Sequence, residues 1–318
     1  MQGIIIKTTG SWYYVQTPEG AIVDCKIKGN FRLKGIKTTN PVAIGDHVFF
    51  NKEVNEAHGV IYEIETRRNC IIRKSVNLSK QSHILAANID EAFLVVSLYQ
   101  PRTPQGFMDR FILTAEAYHV PVSLIFNKVD LYDADTLALL NVYIQMYQAI
   151  GYRCYVCSAT EKQGLTSIQT AMQNKVNLFS GNSGVGKSAL INALDPSLHI
   201  KTGNISTYHN KGKHTTTFAE MHPLSFGGYI MDTPGIREFG MVAFTTEEVS
   251  LYFPEMRHLK AHCQFNNCTH VHEPRCAIKQ AVEENKIHPW RYKSYLAILK
   301  GEEVETPGLI ENKQDAKK

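Results

Sequence analysis

No apolar run in this chain approaches the roughly 18 residues that a membrane-spanning helix needs, so a helical membrane protein is excluded and no membrane contact is expected. Met1-Gln2-Gly3-Ile4 opens no basic stretch followed by a long apolar core, so no secretion signal is expected and the protein is expected in the cytoplasm. Cysteine is scarce and odd in number, seven in 318 residues, which argues against a disulfide framework. No internal repeat, heptad pattern or low-complexity tract is present, which excludes a solenoid or coiled coil and leaves a monomer as the expectation. What remains is a globular chain long enough for two or three domains.

The net charge of +4 is unevenly spread. Residues 1–80 hold 12 Lys and Arg against 7 Asp and Glu, so the excess lies there and the remainder is near −1. Between Asp24 and Asp46 lie Lys26, Lys28, Arg32, Lys34 and Lys37 with no acid among them. Such a run is either a solvated face or a contact for an anionic partner.

Five short strands are expected at Gly3–Thr8, Trp12–Thr17, Ala21–Ile27, Asp46–Asn51 and Val60–Glu65, separated by turn-forming residues. They suit a small barrel, either an OB-fold or an SH3-like one. From about residue 70, apolar runs at Ala92–Ser97, Val122–Phe126, Tyr152–Cys157, Val176–Phe179 and Tyr229–Met231 alternate with helical stretches. The helices are expected at Met108–His119, Asp135–Ile150, Thr166–Asn174 and Ser188–Leu194. That alternation predicts a mostly parallel sheet with helices on both faces. Phe218–Leu224 and Tyr229–Asp232 read as a hairpin at one edge. The division expected is a β-barrel over 1–70, an α/β domain over 71–245, a helical Cys/His domain over 246–300 and a disordered tail over 301–318.

Gly181-Asn182-Ser183-Gly184-Val185-Gly186-Lys187-Ser188 fits the phosphate-loop pattern G-x-x-x-x-G-K-[ST], between a short apolar strand and a helix. Its glycines let backbone N–H groups turn inward around phosphates, with Ala189 following in the helix. Lys187 is expected to reach the β- and γ-phosphates, and Ser188 to ligate Mg²⁺. Asn127-Lys128-Val129-Asp130 follows the strand Val122–Phe126. The Asp130 carboxylate can accept both guanine N–H protons, which adenine does not offer. Asn127 is expected to brace the loop and touch the base edge, and the Lys128 stem to cover the ring. Ser158-Ala159, ending the next strand, can offer the Ala159 N–H to the guanine carbonyl. Asp232-Thr233-Pro234-Gly235 ends a further strand, with Asp232 holding Mg²⁺ through water and the Gly235 N–H sensing the γ-phosphate. One of Thr215, Thr216 and Thr217 completes the Mg²⁺ shell; Thr216 is favoured, although spacing does not choose among them.

The guanine box precedes the phosphate loop, the reverse of the ordinary order, so the domain reads as a circularly permuted GTPase. One group is missing. Ras-like enzymes orient the attacking water with a Gln after the switch glycine, and here that position is Ile236. Slow intrinsic turnover is expected, and His214 is the nearest candidate to supply the missing contact. Its other reading is an exposed loop histidine. Further on, Cys263-x4-Cys268-x-His270-x5-Cys276 places three thiols and an imidazole within fourteen residues, a set that closes a tetrahedral Zn²⁺ site and leaves no open position for catalysis. His262 and His272 are close enough to compete as the nitrogen ligand. The segment has few apolar residues, so metal is expected to supply stability. Cys154 and Cys157 also form a C-x-x-C pair, read here as two thiols on a buried strand.

Taken together, Gly10–Val15, Lys28–Arg32, Thr39-Asn40-Pro41-Val42 before Gly45-Asp46, the permuted boxes, Gly212–Thr217 and the C-x4-C-x-H-x5-C site resemble the ribosome small subunit-dependent GTPase A family over nearly the whole chain. The resemblance implies an N-terminal all-β OB-fold barrel, a central α/β permuted P-loop GTPase and a C-terminal helical zinc-binding domain. It implies a GTPase, stimulated by the small ribosomal subunit, that acts in late 30S maturation and binds 16S rRNA. It assigns catalysis to the loop histidine, here His214, and the zinc to Cys263, Cys268, His270 and Cys276. Lys213 stands where the family often has Arg, which preserves the charge. Three other readings share parts of the pattern: a permuted GTPase of large-subunit assembly, an RNA-binding zinc and OB module with a non-catalytic nucleotide pocket, and an ATPase.

Overall fold

Alternation of buried and exposed residues, the mark of a strand with one face on a core, runs through the first part of the chain. The strands are β1 (Gln2–Thr8), β2 (Tyr13–Gln16), β3 (Ile22–Ile27), β4 (His47–Asn51) and β5 (Gly59–Ile64). Ile5, Val15, Cys25, Val48, Phe50 and Ile61 point inward and are fully buried. The computed structural model describes residues 1–27, 41–52, 58–74, 82–200, 220–232 and 244–302.

Pairing decides between the two barrels that the strand pattern left open. β1 pairs with β2 and β4, β2 with β3, and β4 with β5, all antiparallel, while β3 and β5 run parallel. The circuit closes, so none of the five keeps an open edge within it, and the fold is the OB barrel. Register shifts between Ile5 and Lys7 and between Phe49 and Phe50 supply the local bends that closure needs.

A hairpin of β6 (Cys70–Lys74) and β7 (Ser82–Ala87) follows, which the sequence reading did not anticipate. Neither strand stands out by alternation, and the pair is held by its neighbours: Ala87 N–H donates to the Ile44 carbonyl and Tyr118 Oη to the Ile72 carbonyl.

The α/β sheet is built from β8 (Glu91–Val96), β9 (Val122–Phe126), β10 (Arg153–Val156), β11 (Val176–Ser180), β12 (Glu220–Pro223) and β13 (Tyr229–Asp232). Their order is β10-β9-β8-β11-β13-β12, with only β12 antiparallel to its neighbour β13. Every residue of β8 and β9 is buried, as expected for parallel strands covered on both faces. Successive side chains take opposite faces. Ala92, Leu94 and Val96 meet α1 (Gln105–Ala117) and α2 (Ala134–Ala149) through Met108, Phe111, Ile112, Tyr143 and Tyr147. Phe93 and Val95 meet α3 (Leu165–Met172) and α4 (Lys187–Leu194) through Ile168, Met172, Leu190 and Leu194. Each large side chain fully buried this way contributes roughly 1.5–3 kcal/mol relative to exposure.

The β12–β13 hairpin was expected at an edge, and it is the edge of the α/β sheet, but its outer side is covered. β12 pairs antiparallel with β1 at Lys7 and Glu220, which also form a salt bridge of 3.1 Å. Tyr229 Oη donates to Gln16 Oε1 at 2.8 Å across the same seam. Barrel and α/β sheet are therefore hydrogen-bonded into one eleven-stranded sheet among the described residues. Covering an edge strand in this way removes a site for unwanted pairing.

The C-terminal part contains α5 (Thr246–Val249), α6 (Pro254–Arg257), α7 (Ala277–Glu283) and α8 (Pro289–Lys300). The Cys/His segment itself was expected to have too few apolar residues for an independent core, and it draws on a shared one. Val249, Phe253, Met256, Ile278, Ala281, Ile287 and Tyr295 cluster, and Leu113 of α1 completes them. Short apolar stretches from four helices share that core, so no single stretch advertises it. Arg291 of α8, 1% exposed, joins this part to the α/β domain. It contacts Asp109 of α1 at 2.5 Å and Glu255 of α6 at 2.7 Å, and lies 4.4 Å from the Phe253 ring centroid. Burial opposes the Arg291 charge, and the two carboxylates more than offset it, so its pKa stands well above the ordinary value.

Candidate functional site

β11 ends at Ser180, the chain turns through Gly181–Gly186, and α4 begins at Lys187. Two glycines make this turn possible. Gly181 has φ +144°, and a Cβ there would lie 2.2 Å from the Val95 carbonyl oxygen. Gly186 has φ +93°, and a Cβ there would lie 2.5 Å from Asn127 Nδ2. Both positions combine a left-handed backbone with a close approach, which only glycine tolerates. Between them Val185 is fully buried and pins the loop, while Ser183 and Gly184 are exposed. Lys187 Nζ donates to the carbonyls of Gly181 at 2.5 Å and Asn182 at 2.6 Å, so its ammonium is held over the loop. Ser188 and Ala189 are partly exposed in the first turn of α4, where backbone N–H groups favour anions.

Asn127 joins the guanine box to this loop. It is 1% exposed, and Nδ2 donates to the Val185 carbonyl at 3.0 Å. Oδ1 accepts from the Ala159 N–H at 3.2 Å and from the Cys157 thiol at 3.5 Å. Its backbone N–H donates to the Val96 carbonyl, and its carbonyl accepts from Tyr132 Oη at 2.8 Å. The expected bracing role is therefore visible, while the side chain faces protein. The Ala159 N–H, expected to face a guanine carbonyl, donates to Asn127 here. Lys128 takes φ +66° and stretches alongside Gly186 to donate to the Gln100 carbonyl at 2.7 Å. The Val129 N–H bonds the Cys157 carbonyl, and Asp130 is exposed. Ser158 is buried, with Oγ 3.1 Å from Thr160 Oγ1 and accepting from the Glu161 N–H. Burial pushes the Cys157 thiol up to about 12, so it stands as a neutral donor to Asn127.

Asp232 closes β13 opposite Glu220. His214, Thr216 and Gly235, together with Thr215, Thr217 and Ile236, lie outside the described residues, as does the tail beyond Glu302. Of the basic run in the barrel, Lys26 is described; its ammonium sits 4.3 Å from the Trp12 ring centroid.

The Cys/His set converges as its spacing implied. The four ligand atoms of Cys263, Cys268, His270 and Cys276 all lie within 4.8 Å of one another. Cys263 and Cys276 Sγ are 3.9 Å apart, and each lies 3.6 and 3.4 Å, respectively, from His270 Nδ1. Tetrahedral zinc with its usual bond lengths requires S···S of about 3.8 Å and S···N of about 3.6 Å, so the donors fit the ion. His262 and His272 are both exposed, whereas His270 is fully buried and is the histidine whose ring nitrogen converges with the three thiols. Burial, then the charge of Lys260, push His270 down to about 4, leaving a neutral imidazole able to ligate. Burial pushes the Cys268 thiol up to about 12, an effect that a bound dication would reverse.

Around this set the loop is fastened by residues that spacing did not reveal. The Glu273 carboxylate accepts from Thr269 N–H and Oγ1 and from the N–H groups of Val271 and His272. Burial opposes its charge, but those donors outweigh it and hold the carboxyl at about 2. Tyr292 and Tyr295 of α8 donate to the carbonyls of His270 and Thr269 at 2.6 and 2.7 Å. Tyr132, Glu273 and Arg291 were all missed from sequence; a Thr-x3-Glu pair inside the ligand loop was the one available hint.

Residues 64–242 match the family model described as RsgA GTPase, and residues 2–61 the one described as RsgA N-terminal domain. The chain is 55% identical over 305 residues to the Small ribosomal subunit biogenesis GTPase RsgA of Bacteroides fragilis, covering 95% of this chain and 97% of that one. It is 50% identical over 305 residues to the protein of the same name from Flavobacterium psychrophilum, covering 95% and 94%. Among solved structures it is similar to YjeQ from Thermotoga maritima, with TM-score 0.76 and 31% identity over 94% of this chain and 97% of that one. It is equally similar in sequence, 31%, to YloQ, described as a circularly permuted GTPase, with TM-score 0.73 and 94% of each chain covered.

Proposed function

The chain belongs to the RsgA GTPase family and is a GTP hydrolase, and from that premise we propose that it serves late maturation of the small ribosomal subunit in the cytoplasm, as a monomer that docks on 16S rRNA. The observation that carries the nucleotide part is the bond from Asn127 Nδ2 to the Val185 carbonyl, which unites two boxes lying in permuted order. The subunit part rests on the relatives' names and on the closed OB barrel with its basic excess.

In this reading Asn127, Lys128, Val129, Asp130, Ser158 and Ala159 form the guanine side, and Gly181–Ala189 the phosphate side. Asp130 accepts the guanine N–H protons, and Lys187 reaches the β- and γ-phosphates. Ser188 and Thr216 would hold Mg²⁺, with Asp232 behind water and Gly235 at the γ-phosphate; the ion supplies charge neutralisation when bound. His214 orients the attacking water where Ile236 cannot. Cys263, Cys268, His270 and Cys276 hold one structural Zn²⁺. The functional division is 1–70 for RNA, 71–245 for GTP and 246–300 for zinc. GTP favours the subunit-bound form, subunit RNA completes the catalytic arrangement, and hydrolysis to GDP and phosphate releases the factor.

The test is GTP hydrolysis with purified 30S subunits, with 50S as control, for wild type and His214→Ala. The expected result is strong stimulation by 30S alone, lost in the variant. Stimulation retained in the variant moves catalysis to another group, and no stimulation by 30S overturns the partner.

A further inference from the structure

The Tyr132 hydroxyl is 2.8 Å from two backbone groups that belong to different loops: it accepts from the Leu98 N–H and donates to the Asn127 carbonyl. The side chain is 8% exposed, and burial raises its pKa, so the phenol keeps the proton that it donates. Leu98 lies in the loop Ser97–Thr103, between β8 and α1. That loop closes on itself through Ser97 N–H to Thr103 Oγ1 at 3.1 Å and Thr103 N–H to the Ser97 carbonyl at 2.8 Å. Two residues after Leu98, the Gln100 carbonyl receives Lys128 Nζ, and Pro101 would lie 3.2 Å from a Cβ on Gly184 of the phosphate loop. The β8 loop thus touches the guanine box on one side and the phosphate loop on the other. Tyr132 is the side chain that fastens its near end to Asn127.

We propose that Tyr132 is a positioning residue for base selection, setting the guanine box at the height of the phosphate loop by bridging Leu98 and Asn127. The inference rests on the nucleotide reading above. Its effect falls mainly on the base: Tyr132 reaches the phosphate loop only through Asn127, whereas Gly181 packed against the Val95 carbonyl and Lys187 over the Gly181 and Asn182 carbonyls hold that loop independently of Tyr132. Without the hydroxyl, the Asn127 carbonyl and the Leu98 N–H lose their shared partner inside the protein. Asp130 and Lys128 then meet the base from a looser loop, while phosphate contacts persist. The reaction itself is untouched, because no atom of Tyr132 meets the reacting phosphate.

The experiment compares GDP and ADP affinity by calorimetry for the full-length wild type, Tyr132→Phe and Tyr132→Leu, with thermal melting as a control. Tyr132→Phe keeps the ring and deletes two neutral hydrogen bonds, so GDP affinity is expected to fall about tenfold. ADP affinity is expected to stay unchanged, so the GDP-to-ADP ratio narrows by the same factor. KM for GTP rises in step, with kcat within about twofold. Tyr132→Leu should match Tyr132→Phe in the ratio even if it melts earlier. An unchanged ratio in Tyr132→Phe, or an equal loss for GDP and ADP, overturns the proposal. A wild type with no preference for GDP would instead overturn the nucleotide reading, so the two failures are distinguishable.

Discussion

At the phosphate loop, the groups proposed to meet a ligand are backbone N–H groups and two side chains, Lys187 and Ser188, at the mouth of a helix. At the Cys/His centre they are four side-chain atoms packed within 4.8 Å, on a loop braced by Glu273, Tyr292 and Tyr295. The nucleotide site stands on a sheet whose core is complete without ligand, with β8 and β9 fully buried beneath it. The metal centre lies inside its own small core, where Cys268 and Cys276 count among the buried residues. The difference teaches what each site's loss does. On the proposed reading, emptying the first is expected to remove chemistry from a standing fold, and emptying the second to remove part of the fold.

The comparison is broken most forcefully by chelation. Structural zinc binds with about 10 kcal/mol or more in small domains, so a strong chelator should melt residues 244–302 while the α/β domain stays folded. Hydrogen exchange resolved along the chain measures this, and equal protection with and without chelator would show that the helices stand unaided. The next largest effect is on chemistry. Lys187→Ala should lower GTP turnover by about a hundredfold or more with no change in melting temperature, as loss of a preorganised cation at the phosphates requires. A large drop in melting temperature would instead make Lys187 a clamp for the Gly181 and Asn182 carbonyls. The smallest effect exchanges rather than removes. Asp130→Asn should move nucleotide preference from guanine toward xanthine by about tenfold, since the amide offers a donor where the carboxylate accepted. Competition binding with the two diphosphates measures it, and an unchanged preference would remove Asp130 from base recognition.

These differences also track what was legible in the sequence. Glycine at 181 and 186 is required by a left-handed backbone against Val95 and Asn127, and a metal set needs Cys or His at converging positions, so both sites were readable as patterns. The mostly parallel sheet with helices on both faces followed from strand and helix alternation; the order of its strands did not. What stayed hidden depends on which residues meet across long separations. Tyr132 and Leu98 are 34 positions apart, and Arg291 and Asp109 are 182 apart. An inward Tyr or Arg looks the same in sequence whether it fills space or bridges two loops. The strand pattern alone left the barrel type open, since five strands fit two barrels; the resemblance implied the OB-fold, and the parallel pairing of β3 with β5 bears it out.

The position of β11 in the sheet, between β8 and β13, carries a consequence for the chain's birth. Translation delivers β8, β9 and β10 first, and one edge of the wholly buried β8 waits until residues 176–180 emerge to cover it. In the unpermuted order the phosphate-loop strand is made first and later strands add to it. Here the central strand arrives last among its parallel neighbours on the guanine side, so a nascent chain stopped before residue 176 presents an open apolar edge. The seam between this sheet and the barrel waits longer still, since β1 meets β12 only when Glu220 has been made. Rearranging the order of synthesis leaves the finished sheet intact and moves the vulnerable moment to the middle of translation.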